Sequence, residues 1–125
     1  MITEAYVSFE TAKLLKEKGF DEICYLGYDR NGEYVPTSNR TNSQIIQPDF
    51  CFICCPTQQM AMRWLREVRN IKVNVFYSNF NCYAIEYFET NTQTGVDESV
   101  FINEGYHVYE QAVEAAIKYC LENLI

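Results

Sequence analysis

KVNVFYSNFNCYAIEYFE (residues 72–89) decides the class of fold. Val73, Val75 and Tyr77 alternate with Asn74 and Phe76, the period of a strand whose two faces meet different surroundings. Ser78-Asn79-Phe80-Asn81 supplies turn residues. Alternation then resumes, with Tyr83, Ile85 and Tyr87 opposite Cys82, Ala84, Glu86 and Phe88. Strands joined by so short a turn run antiparallel, because a parallel pair needs a long crossover.

Helical periodicity brackets this meander. Upstream, Met60, Ala61, Trp64, Leu65, Val68 and Ile71 fall on one stripe, which predicts a helix over 58–70. Pro56 and Thr57 mark its start. Gln58, Gln59, Arg63, Arg66 and Arg69 fall on the other side. Downstream, Ala112, Val113, Ala116, Ile117, Cys120, Leu121 and Leu124 predict a helix over 109–124. A third helix is expected over 9–18, with Ser8 as its cap, Ala12 and Leu15 inward, and Gly19 as its left-handed stop.

Between the first two helices, residues 22–29 read as a strand and Asn31-Gly32 as a hairpin turn. The returning strand, 33–35, is expected to stop at Pro36. Residues 37–48 are polar and aperiodic and read as a surface loop, and 49–54 as a short strand. Residues 90–98 read as a second polar loop and 99–103 as an edge strand. The order is helix, hairpin, short strand, helix, meander, helix. This predicts one α+β domain over 1–125, with three helices layered against a mostly antiparallel sheet of four to six short strands. The uncovered sheet face is expected to be wet and rich in tyrosine.

The composition supports an ordinary folded domain. Of 125 residues, 48% are hydrophobic and 22% charged, which excludes a disordered or fibrous chain. No apolar run is long enough to span a bilayer. The opening MITEAYVSFETAKLLKEKGF lacks the basic head and apolar stretch of a secretory signal, so a cytoplasmic setting is expected. The formal net charge is −7, which disfavours general nucleic-acid binding. Yet residues 63–72 carry Arg63, Arg66, Arg69 and Lys72 against Glu67, a local +3 that leaves −10 for the rest. From Glu86 onward eight acids face one base, Lys118.

The remaining motifs are weak. Six cysteines without a secretory signal read as small core residues. Cys51, Cys54 and Cys55 form one cluster, but zinc usually draws on two paired turns, and no second pair is present. As a redox pair, Cys51 and Cys54 lack the proline between the cysteines. His107 is the single histidine, so any imidazole chemistry must use it. No phosphate loop, nucleophile elbow, dinucleotide fingerprint or zinc-protease motif occurs. No cofactor or metal is therefore expected.

The polar face of the 58–70 helix is the strongest site candidate. Arginine forks suit carboxylate and phosphate, and Gln59 adds a neutral hydrogen-bonding group. Intramolecular charge balance is the plainer account of the same residues. Tyr83 and Tyr87 would supply a stacking surface if they share the open sheet face; packing is the plainer account of them.

Three segments carry a family resemblance: VSFETAKLLKEKGFDE (7–22), PTQQMAMRWLREVRNIKV (56–73) and YEQAVEAAIKYCLENLI (109–125). They resemble a family of small uncharacterised proteins of bacteriophages, prophages and gut Bacteroidales. The most specific pieces are Pro56-Thr57-Gln58, Arg63-Trp64-Leu65-Arg66-Glu67 and the helix start Tyr109-Glu110-Gln111-Ala112. The family usually has Thr or Ser where this chain has Val108. The resemblance implies a phage or mobile-element setting inside a bacterial host, and no activity.

The leading expectation is a non-enzymatic binding or adaptor protein that recognises an acidic host protein or a small anionic, nucleotide-like ligand, as in counter-defence. The ligand-binding residues would be Gln59, Arg63, Arg66, Arg69, Tyr83 and Tyr87. The alternatives are a small hydrolase using His107 with a carboxylate or cysteine, and a phage assembly component. Self-association is compatible with each.

Overall fold

The computed structural model describes residues 2–45, 52–78 and 81–125. Among these, three α-helices and six strands form an α+β fold in which every strand pairing is antiparallel. The strands divide into two sheets of three. The chain itself divides into two compact units, Met1–Ala61 and Met62–Ile125.

In the first unit, α1 spans Phe9–Glu17, and Ser8 caps it by accepting the Thr11 N–H at 3.2 Å. Gly19 takes the left-handed conformation (φ 94°), and the Phe20 N–H reaches back to the Leu15 carbonyl at 2.8 Å. This closure brings Phe20 into the core, 1% exposed. β1 (Cys24–Tyr28) and β2 (Tyr34–Arg40) form the expected hairpin. Asp29 organises its turn, its Oδ1 accepting the N–H groups of Asn31 at 2.8 Å and Glu33 at 3.0 Å. Gly32 has φ 78°, and a Cβ there would lie 2.7 Å from the Phe9 ring. Turn and helix therefore both require glycine at this position.

β2 does not stop at Pro36. It continues to Arg40 and absorbs the first part of the expected 37–48 loop. An edge strand tolerates proline, and β2 is an edge in the order β2-β1-β3. The register jumps from Leu26↔Pro36 to Cys24↔Arg40, with Ser38 (φ 56°) and Asn39 (φ 59°) left-handed inside the bulge. Residues Asn42–Gln44 form a 3-10 turn. β3 is Ile53–Cys54; the rest of the expected 49–54 strand, including Cys51, lies outside the described residues. β3 ends the sheet because it is only two residues long and the chain after it is already engaged. Pro56 accepts the Val7 N–H at 3.1 Å, and Thr57 bridges Tyr6. This shortness is one physical reason for two sheets where one was expected.

α2 spans Gln58–Glu67, three residues shorter than the periodicity suggests. Asn70 adopts φ 55° and the Ile71 N–H bonds the Leu65 carbonyl at 2.8 Å, a left-handed stop filled by asparagine instead of glycine.

In the second unit, β4 (Val73–Tyr77), β5 (Tyr83–Thr90) and β6 (Asp97–Tyr106) form the meander, with β5 central. Asn79 and Phe80 of the expected β4–β5 turn lie outside the described residues. β6 is twice as long as the expected 99–103 strand. The 90–98 loop contracts to a tight turn in which the Asn91 Oδ1 accepts the Gln93 N–H at 2.9 Å. α3 spans Tyr109–Asn123 and starts at Val108 without a side-chain cap. Its Ala112 and Ala116 pack on Ile85, flanked by Val73, Val75, Tyr83, Ile102 and Tyr106. The small alanines let the helix approach the sheet closely.

Among the described residues, no helix is long and apolar enough to cross a membrane.

Candidate functional site

α2 sets out the charged candidates. Thr57 caps its first turn, the Thr57 Oγ1 accepting the Met60 N–H at 3.1 Å. Ala61, Trp64 and Leu65 are buried, at the i, i+3, i+4 spacing of one helix face. Met60 and Val68 stay 38% and 57% exposed, so the buried stripe is narrower than the hydrophobic one.

Gln59 belongs to the first unit and is exposed. Arg63, Arg66 and Arg69 belong to the second and are all exposed. The Arg63 Nε meets the Glu67 Oε2 at 3.0 Å, but these side chains are 67% and 55% exposed. Such an i,i+4 pair is worth only about 0.3–0.5 kcal/mol and exchanges readily for another carboxylate. The Arg69 guanidinium lies 5.9 Å from the centroid of the Trp64 ring, a cation–π contact that positions it at the helix end. Arg66 has no carboxylate partner among the described residues. The ridge therefore retains accessible positive charge.

The two tyrosines of the expected site lie elsewhere. Tyr83 packs edge-on against Tyr77 and Tyr109, at 5.5 and 5.4 Å between ring centroids. The Tyr87 ring lies 6.1 Å from that of Tyr119, and its hydroxyl donates to the Glu89 Oε1 at 3.1 Å. Tyr109 and Tyr119 belong to α3, so Tyr83 and Tyr87 occupy the helix-covered face of the sheet, half-buried; on the opposite face of β5, Cys82 and Ala84 are buried, so the wet, tyrosine-rich face that was expected is not found there. The alternation shows that they share a face but not which face the helix covers.

The groups proposed for catalysis are dispersed. His107 is exposed in the turn before α3, and no hydrogen bond joins it to a carboxylate or thiol among the described residues. Glu86 is half-buried and accepts from the Asn74 amide at 3.2 Å. Cys24, Cys54, Cys55, Cys82 and Cys120 are buried free thiols. The hydrogen bond with Cys54, together with burial, pushes the Cys24 thiol far up, and burial pushes Cys120 up to about 12. Raised thiols are poor nucleophiles at neutral pH; the Cys54 thiol is shifted the other way, held below its usual value by the hydrogen bond with Cys24, but it is buried. No cluster of three His, Cys, Asp or Glu side chains is arranged to hold a metal among the described residues.

The first unit contains a cleft, with a volume of about 100 Å³, that no periodicity or motif located. Tyr6, Ile23, Tyr25 and Met60 line it together with the buried Cys24 and Cys55. Nucleotide-sized ligands occupy sites of about 300–1,000 Å³, so this space suits one aliphatic side chain at most.

Searches against protein-family models, curated proteins and solved structures return no match to this chain.

Proposed function

We propose that the protein is a non-enzymatic binding or adaptor protein that engages an acidic protein surface through Arg63, Arg66 and Arg69. The observation that carries this reading is the exposure of Arg63 and Arg66 on α2 and of Arg69 just beyond its end, with a single exposed carboxylate, Glu67, among them. An exposed helix face suits a macromolecular surface better than a small anion, which needs donors from several directions. The overall charge of −7 works against nucleic acid as the partner. The resemblance of the helical segments to phage and Bacteroidales proteins supports a setting inside a bacterial host. A host protein bound during takeover by a phage or mobile element is then the natural partner class.

The test compares the wild-type chain with Arg63→Ala/Arg66→Ala. Affinity capture from a Bacteroidales lysate, followed by reconstitution with the purified captured protein, should show binding that weakens with salt and falls at least about tenfold in the variant. The melting temperature of the variant should stay within about 2 °C of wild type, because exposed charges contribute little to stability. Equal binding by both chains overturns the reading. A thermal shift with nucleotides or phosphorylated metabolites, abolished in the same variant, would replace the protein partner with a small ligand.

A further inference from the structure

Asn31 and Gly32, at the tip of the β1–β2 hairpin, have a chemistry of their own. Of the asparagines in the chain, Asn31 alone precedes a glycine. The backbone nitrogen that follows an asparagine can attack the carbonyl carbon of that asparagine's side chain. A side chain on the following residue obstructs the approach, and glycine has none. Asn31 is exposed, and no hydrogen bond holds its side-chain amide among the described residues. Its Cγ is therefore open to the neighbouring nitrogen.

The turn restrains that nitrogen. The Gly32 N–H donates to the Asp29 carbonyl at 3.1 Å. The Asp29 carboxylate holds the N–H groups on either side, those of Asn31 and Glu33. Cyclisation needs the Gly32 nitrogen released and deprotonated. Opening an exposed hairpin tip costs far less than unfolding the sheet behind it. The bonds to Asp29 therefore set the rate of the reaction and do not forbid it.

We infer that Asn31 is a site of spontaneous deamidation, which slowly converts the hairpin tip and loosens the first unit. The Gly32 nitrogen gives up its proton and bonds to the Asn31 Cγ. The Cγ–Nδ2 bond breaks and ammonia leaves, so that a cyclic imide remains. Water then opens the ring at one of its two carbonyl carbons. One opening gives aspartate; the other gives isoaspartate, in which the main chain runs through the former side chain. Either product sets a new carboxylate beside Asp29 and Glu33. Isoaspartate also lengthens the main chain by one carbon just before Gly32. Gly32 lies so close to α1 that a Cβ on it would be 2.7 Å from the Phe9 ring. A longer turn displaces Gly32 from that ring, and α1 loses part of its contact with the hairpin. The inference does not depend on the arginine ridge, which belongs to the second unit.

The test incubates the full chain at neutral and at mildly alkaline pH and maps its peptides by a method that separates aspartate from isoaspartate. Asn31 should be the first asparagine to convert, faster at the higher pH, with isoaspartate among the products. Asp29→Ala removes both side-chain bonds of the turn. It should quicken conversion and hydrogen exchange of the Gly32 amide together, each about tenfold. Asp29→Asn, which keeps an acceptor, should stay close to wild type. Amide exchange across α1 should be faster in the aged wild-type chain than in Asn31→Gln aged alongside, whose longer side chain cyclises far more slowly. Survival of Asn31 in the folded chain, while it converts in urea, would show that the turn protects it fully and overturn the inference. So would earlier conversion of another asparagine. Unchanged exchange across α1 in a fully converted chain would overturn the loosening of the first unit.

Discussion

The two three-stranded sheets are built on different principles. In the second, β4 and β5 pair without interruption over five consecutive positions and apolar alternation turns Val73, Val75 and Ile85 toward α3, while the β5–β6 register shifts between Tyr83 and Ala84 and between Ile85 and Glu86 without changing which face the core residues occupy. The first is short and irregular, with a two-residue β3, a proline in β2 and two left-handed residues in a bulge. Polar side chains inside the fold bond backbone groups in this unit. The Asn42 amide donates to the Phe20 carbonyl at 2.8 Å and accepts the Cys54 N–H at 2.9 Å. The Tyr28 hydroxyl donates to the Val7 carbonyl at 2.6 Å, and the Thr37 hydroxyl to the Cys24 carbonyl. A sheet with a consistent face is specified by its pattern. One without it depends on individual residues that satisfy backbone groups which would otherwise be buried and unpaired.

The largest effect should come from the second sheet. Ile85 is 1% exposed and packs on Ala112 and Ala116, which are too small to fill the space it would vacate. Ile85→Ala should cost about 3 kcal/mol, read as a lower midpoint in urea denaturation. A loss below about 1 kcal/mol would mean that α3 settles onto the sheet without it. Asn42→Ala should follow, at about 2 kcal/mol, since it removes a donor and an acceptor at once. Asn42→Asp should recover part of that loss, because it keeps the acceptor for Cys54. If Asn42→Ala is silent, the contrast between the two sheets fails.

The same contrast explains what could be read from the sequence. The meander, its alternation and the inward stripe of α3 were legible because each repeats a period. The hairpin turn and both left-handed helix stops near Gly19 and Asn70 rest on local chemistry, and of the two stops only glycine announced itself. The continuation of β2 was hidden, since Thr37, Ser38, Asn39 and Arg40 look like a loop until Cys24 offers its carbonyl to Thr37. Nothing in the spacing of Asn42 foretold that it would join residues from 20 to 54. Of the site, the exposure of Arg63 and Arg66 followed from their position opposite Trp64 and Leu65, whereas Arg69 lies beyond the end of α2 and reaches the Trp64 ring. The covering of Tyr83 and Tyr87 did not, because it depends on the side from which α3 approaches.

A pH measurement sharpens the picture at the first unit's surface. Asp21 accepts the Ser43 N–H at 2.7 Å and the Ser43 hydroxyl at 2.8 Å, anchoring the 3-10 turn that carries Asn42. These bonds, the backbone one first, hold its carboxyl below the usual 3.8. A carboxyl lowered by folding adds stability that is fully present above its unfolded value and is lost as the pH falls through its folded one. Wild type should therefore lose stability below pH 3.8 more steeply than Asp21→Asn, whose acid limb should be flatter. Parallel acid limbs would mean that the turn is held by Asn42 alone.

The smallest expected effect is the most telling for function. Arg63 and Glu67 are exposed and one helical turn apart, so Arg63→Ala should change stability by less than about 0.5 kcal/mol. Arg66→Ala should be equally mild, having no carboxylate to lose. Arg69→Ala should cost slightly more through its contact with Trp64. A ridge whose removal leaves folding intact has no structural reason to be arginine three times over. If instead each substitution lowers the melting temperature by several degrees, the charges serve the fold, and the difference between a self-contained core and an outward-facing ridge disappears.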